Sequence, residues 1–237
     1  QTAGNIDSVL DEILDYQVDG IVLASVALSS DLATRCARAG VPVVLFNRGQ
    51  DMPGIAAITA DNRRGGAGIA RFLADGGHRR IAHVAGWEGA STQRDREAGF
   101  RDALDEVGLA LHARTVGNFR LEEARAAARA LLDRPDPPDA VFVANDHMAF
   151  AVMDVVRFEQ GLDVPGDISV VGFDDVPIAA WPAYDLTTWR QPAQRMVEAT
   201  VAALLGQIEA GEAAESAEIA GHLALRRSAR IPEGWQR

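Results

Sequence analysis

Amide and carboxylate side chains recur at one kind of position in this sequence. Asn47 and Arg48 follow the run VPVVLF, Asp61 and Asn62 follow AAITA, Asn145 and Asp146 follow AVFVA, and Asp174 and Asp175 follow ISVVGF. Each run is short and apolar, so it reads as a buried strand, and each polar pair stands at its carboxyl end. Short side chains with fixed donors and acceptors at strand ends suit the hydroxyls and amides of a small ligand. Acid–base catalysis is the other use of paired carboxylates. Asp174 and Asp175 are adjacent and point in different directions, however, whereas glycoside cleavage needs two carboxyl groups about 5 to 9 Å apart across a sugar ring. One of the pair is expected to face a ligand and the other to cap the following turn.

Arg96, Phe119 and Trp181 add further chemistry. In STQRDREAGF, Arg96 lies one turn before Gly99 and Phe100 on an expected helix, where its forked donor could meet vicinal hydroxyls or a carboxylate. A surface ion pair with Glu97 or Asp102 is the alternative on residue types alone. Phe119 in GNFRLEEAR and Trp181 in AAWPAYD offer flat apolar faces that could stack on a ring or simply pack.

Competing motifs are missing. The glycine cluster in DNRRGGAGIA does not meet the dinucleotide pattern, because Arg71 stands where its last glycine would be, and close helix packing is the better use of Gly65 and Gly66. All 23 basic residues are arginine, which excludes a phosphate-loop lysine and a Schiff-base lysine. His78, His83, His112, His147 and His222 show no i, i+4 pair, and the single Cys36 excludes disulfides and CxxC metal sites, so neither metal nor cofactor is expected. Asp61 and Asp146 read as helix caps, Ser91 as part of a helix start, and Cys36 as a buried apolar residue.

The elements that position these residues alternate along the chain. Strands are expected over 20–24, 43–46, 56–59, 81–85, 113–116, 140–144 and 168–172, and helices over 6–16, 31–39, 63–75, 92–107, 121–132, 147–160 and 195–210. A short β-branched run, LTTW, and a late strand over 222–226 complete the pattern. Glycines just past several helices, as in RAGVPVVLF and EVGL, return the chain quickly to the sheet. This alternation predicts a doubly wound α/β fold, which binds ligands beyond the carboxyl ends of its strands.

Composition narrows the setting. A chain of 237 residues with 48% hydrophobic content can build a sizeable core, and a net charge of -11 argues against gripping a polyanionic backbone itself. There is no apolar run of membrane-spanning length and no signal-peptide pattern, so a cytoplasmic location is expected.

Taken in order, VDGIVLAS, AGVPVVLFNR, ADNRRGG, GGHRRIAHVAG, RDREAGFRDAL, the long stretch from PDAVFVANDHMA to DISVVGFDD, and LTTWRQP resemble the effector-binding core of the LacI/GalR family of transcription regulators, with the type I periplasmic-binding-protein fold. The resemblance covers nearly the whole chain. It implies two parallel-sheet lobes, 1–60 with 190–216 and 61–189 with 217–237, joined by crossovers near 59–62, 188–192 and 214–218, with a small effector in the cleft. It also implies a homodimer that meets operator DNA through a headpiece not found in this sequence, with the first strand–helix–strand of the N-terminal lobe missing. Arg96, Asn145, Asp174 and Phe119 match the family's effector contacts, with Asn47 and Gln191 as further cleft positions. On this footing Arg96 turns toward the ligand, and a sugar or sugar derivative is the expected effector, although purines and sugar phosphates use the same kinds of group. The alternatives are a sugar-binding protein of a transporter, which would need export, and a hydrolase using Asp174 or Asp146, which lacks nucleophile and metal motifs.

Overall fold

Short β-branched and apolar runs separated by glycine-capped helices fold into ten strands and six α-helices among the residues that the computed structural model describes, namely 13, 16–26, 28–50, 52–211 and 214–236. In chain order these are β1 (Ile21–Ala24), α1 (Ser30–Ala39), β2 (Val43–Phe46), β3 (Ala56–Ala60), α2 (Asn62–Asp75), β4 (Ile81–Ala85), α3 (Ser91–Glu106), β5 (Ala113–Val116), α4 (Leu121–Leu132), β6 (Ala140–Val143) and α5 (Asp146–Asp154). Then come β7 (Ser169–Asp174), β8 (Thr187–Arg190), α6 (Ala193–Ala210), β9 (Ala217–Ile219) and β10 (His222–Ala224). A π turn over Val155–Glu159 continues α5, and a 3-10 turn over Pro177–Ala180 follows β7. The helix expected over 6–16 lies almost wholly outside the described residues.

The chain divides into two units, one of residues 1–61 and 192–220 and one of 62–191 and 221–237. In the first, the strands run parallel in the order β1-β2-β3-β9. Val43, Leu45 and Ala57 pack with Leu28, Leu32 and the buried thiol of Cys36, while Val44, Ile58 and Met196 of α6 form a second cluster. Gly40 and Gly211 close α1 and α6 in the left-handed conformation, which glycine adopts without steric cost.

In the second unit the order is β10-β8-β7-β6-β4-β5. Five of these strands are parallel, whereas β10 pairs antiparallel with β8. The chain reaches β5 on one side of β4 and then returns to β6 on the other, so successive connections diverge between β4 and β6. Two apolar clusters cover the faces of this sheet, one built with α4 and α5 and the other with α2 and α3.

Glycines set how α2 meets α3. A Cβ on Gly66 would strike the Arg96 carbonyl, and one on Gly99 would strike the Arg63 carbonyl, so the two helices touch backbone to backbone. Gly65, Gly68 and Gly221 leave room for Phe173 and the indole of Trp189, whose rings stack with centroids 6.4 Å apart.

Three details depart from the sequence reading. The chain passes from the first unit to the second for the last time after Ala220, because β9 pairs with β3; residues 217–219 therefore lie in the first unit. Strand β7 runs through Asp174, which pairs with Arg190 and is itself a strand residue. The edge strand β10 is antiparallel, so the second sheet is mixed.

Candidate functional site

Strand ends of the second unit converge on one rim. Asp174 ends β7, Asn145 follows β6 by two residues, Gly86 follows β4, Phe119 lies in the turn after β5, and Gln191 follows β8. Arg96 reaches this rim from α3, the helix between β4 and β5.

Arg96 is 3% exposed. Its Nε donates to Asn62 Oδ1 at 2.9 Å, its Nη1 donates to the Ala144 carbonyl at 2.6 Å, and its Nη2 stands 3.4 Å from Asp174 Oδ1. The guanidinium carbon lies 3.7 Å from the centroid of the Phe173 ring. The partners that a surface position would offer are engaged elsewhere: Glu97 binds Arg101 and Arg114, and Asp102 binds Arg63. A planar fork with fixed donors, lying on a ring, is a use that lysine could not serve.

Asp174 accepts from Gln191 Nε2 at 2.5 Å, and its own carbonyl accepts the Gln191 N–H at 3.2 Å. Burial pushes its pKa up, and the Arg96 charge pulls it back. Its φ of 125° is left-handed territory that side-chain-bearing residues rarely occupy. Asp175, with φ 61°, is not a turn cap as expected; its buried carboxylate holds Arg190 and, at 2.7 Å, Arg226.

The roles of Asn145 and Asp146 are likewise redistributed. Asn145, not Asp146, caps α5, its Oδ1 accepting the Met148 N–H at 3.0 Å. Asp146 is fully buried; it accepts from Thr188 Oγ1 at 2.5 Å and from the Val176 N–H at 2.9 Å, which ties the ends of β6 and β8 to the loop after β7. Gly172 makes the space, since a Cβ there would strike the Asp146 carboxylate. Burial drives the Asp146 pKa up to about 7 against the pull of Thr188.

Behind the rim, Gln93 and Glu97 on α3 hold β4 and β5. Gln93 Oε1 accepts the Gly86 N–H at 2.7 Å, and its Nε2 faces Glu97 Oε2 at 3.0 Å and His83 Nε2 at 3.1 Å. Burial lowers the His83 pKa to about 4. Burial opposes ionisation of Glu97 too, but hydrogen bonds from Arg114 and neighbouring charge outweigh it and leave a pKa of about 2. Gln93 is not among the residues singled out from sequence, and its signal there is its place with Arg96 and Glu97 on one helical face.

The seven residues singled out from sequence are thus unevenly gathered. Arg96, Asp174 and Gln191 touch; Asn145 adjoins Ala144, which Arg96 binds; and the Phe119 ring lies against Gly86. Trp181 is 56% exposed after the 3-10 turn, and its backbone bonds to Ile178, Tyr184 and Asp185. Asn47 belongs to the first unit, where its Nδ2 faces Ser25 Oγ at 3.3 Å and Arg48 donates to the Ser25 carbonyl at 2.7 Å. Among the described residues no cluster of three His, Cys, Asp or Glu side chains could hold a metal ion, and no helix is long and apolar enough to cross a membrane.

Comparison with known proteins gives a consistent picture. Residues 70–229 match the family model described as a periplasmic binding protein-like domain. The chain is 31% identical over 215 residues to the HTH-type transcriptional repressor PurR of Photobacterium profundum, covering 88% of this chain and 64% of that repressor. A crystal structure of a LacI transcriptional regulator from a Rhodococcus species superposes with a TM-score of 0.87 at 33% identity, covering 94% of this chain and 83% of that one. A complex of the transcriptional regulator CelR with cellobiose gives a TM-score of 0.86 at 33% identity, covering 94% and 70%.

Proposed function

The chain belongs to the LacI/GalR family of transcription regulators, and from that premise we propose that it is the effector-binding core of a DNA-binding regulator, with the rim of the second unit taking an uncharged sugar. The contact array of Arg96, Asp174 and Gln191 is the observation that carries this reading. Asp174 accepts from sugar hydroxyls, Arg96, Gln191 and the Asn145 Nδ2 donate, and Phe119 stacks.

Charge narrows the ligand class. The Arg96 cation is matched by Asp174, so the Arg96 fork is not an uncompensated charge for a phosphate or carboxylate. That balance favours a neutral polyol over a sugar phosphate. The cellobiose bound by the similar CelR supports the same direction.

In the full-length regulator the proposed control is thermodynamic linkage: an effector that prefers one arrangement of the dimer changes operator affinity by the ratio of its affinities for the two. The operator is met by a separate DNA-reading headpiece, and the net charge of -11 suits a core that leaves DNA to that headpiece.

A thermal-shift panel of neutral mono- and disaccharides, sugar phosphates and purines tests the reading. A ligand at 100 times its Kd stabilises by about 2.7 kcal/mol. The expected result is a shift with a neutral sugar that is lost in Asp174→Ala. A shift confined to sugar phosphates or purines, or one that survives in Asp174→Ala, would overturn it.

A further inference from the structure

We propose that Gln93 positions the ring of Phe119 by fixing the peptide unit between Ala85 and Gly86, on which that ring rests. The inference deepens the reading of Phe119 as a stacking face and depends on it for its bearing on ligand binding.

This peptide unit is held on both sides. The Ala85 carbonyl accepts the Gly117 N–H at 2.8 Å, and the Gly86 N–H donates to Gln93 Oε1 at 2.7 Å. The first bond draws in the strand end that leads to Phe119, and the second anchors the unit to α3. A Cβ at Gly86 would collide with the Phe119 ring along one edge, so the ring lies directly on this backbone. Phe119 itself has φ 59°, a conformation that persists only where surrounding contacts hold it.

Gln93 is well suited to the task because its amide has one orientation. It is 1% exposed. His83 Nδ1 faces the Phe142 carbonyl at 3.0 Å, which requires the proton on Nδ1 and leaves Nε2 as an acceptor. Gln93 Nε2 must therefore be the group that faces His83 and Glu97, and Oε1 the group that faces Gly86. Without that acceptor the Gly86 N–H is a buried donor with no partner, and the peptide is free to rotate toward one.

Nuclear magnetic resonance of the ligand-free chain decides the matter. Phe119→Leu removes the ring current felt by the Gly86 α protons; the difference from wild type is the signature of ring position. In a Gln93→Met background the same substitution is expected to produce little of that difference, and in a Gln93→Glu background, which keeps an acceptor for Gly86 and takes a proton on the oxygen facing Glu97 and His83, most of it. An equal difference in all three backgrounds would overturn the inference, as would its loss in both variants. Cellobiose, as a probe, separates this from the parent reading. If Phe119 stacks on it, Phe119→Leu weakens binding by about fivefold in wild type and hardly at all beside Gln93→Met. If cellobiose binding ignores Phe119, the stacking role falls while the resonance result still decides the role of Gln93.

Discussion

Arg96 lies on the ring of Phe173, 3.7 Å from guanidinium carbon to ring centroid, while its nitrogens reach Asn62, Ala144 and Asp174. One buried side chain thus joins the start of α2, the end of β6 and the end of β7. Arg96→Ala is expected to lower stability by about 3 kcal/mol, because it leaves the Asp174 carboxylate without its counter-charge. Effector affinity should fall by at least about tenfold in the same variant. Arg96→Lys should recover little of either, since one ammonium cannot fill a planar fork. Urea denaturation and calorimetry with the effector found in the panel check the two effects.

The backbone contact between α2 and α3 gives a second expectation. Alanine ordinarily improves a helix interior over glycine by about 1 kcal/mol. At Gly66 and Gly99 the sign should reverse, because the new methyl meets the carbonyl of Arg96 or Arg63. Each substitution is expected to cost about 2 kcal/mol through overpacking. Gly66→Ala should also weaken effector binding, as it displaces the backbone that carries Arg96. Chemical denaturation that showed Gly66→Ala neutral or stabilising would contradict this packing.

Asp146 predicts a pH dependence of definite sign. Burial raises its pKa from 3.8 to about 7, so between those values the folded chain holds a proton that the unfolded chain has lost. Its stabilising contribution is complete below pH 3.8 and is lost as pH rises through about 7, a change of about 4 kcal/mol. Unfolding free energies of wild type and Asp146→Asn, measured from pH 4 to 8, should therefore diverge by this slope.

His83 works in the opposite direction. Burial lowers its pKa from 6.5 to about 4, so it stabilises the fold above pH 6.5 and loses that contribution as pH falls toward 4. The expected loss is about 3 kcal/mol. His83→Gln should begin less stable at pH 7.5 and lose less on acidification. Denaturant midpoints at pH 7.5, 6 and 4.5 measure the difference.

Most of the fold was legible because buried parallel strands are unbroken apolar runs and because glycine marks where helices stop. Gly40, Gly108, Gly161 and Gly211 all take positive φ at such ends. Strand β9 left no comparable mark: AEI, in the run ESAEIAG, is short and half polar, and it is a strand only because the edge of β3 is there to receive it. The direction of β10 is invisible for the same reason, since pairing decides it.

The polar strand ends were legible as a set, but not their division of labour. Asn145 and Asp146 are both good helix caps, and only the space left by Gly172 draws Asp146 inward and leaves the cap to Asn145. For Arg96, residue types offered two acids on its own helix; three other arginines claim them. Competition among neighbours is a property of the folded arrangement, and a single local segment does not contain it.

Trp189 sits in a slot left by glycines and stacks on the same Phe173 ring that carries Arg96. An indole's emission responds to the electric field across it, and here it shares a ring partner with the buried cation that the proposed ligand would touch. The molecule therefore carries a built-in optical gauge of its own rim. With Trp87, Trp181 and Trp235 replaced by phenylalanine, the emission maximum of Trp189 alone would record the occupancy of the rim without any added label.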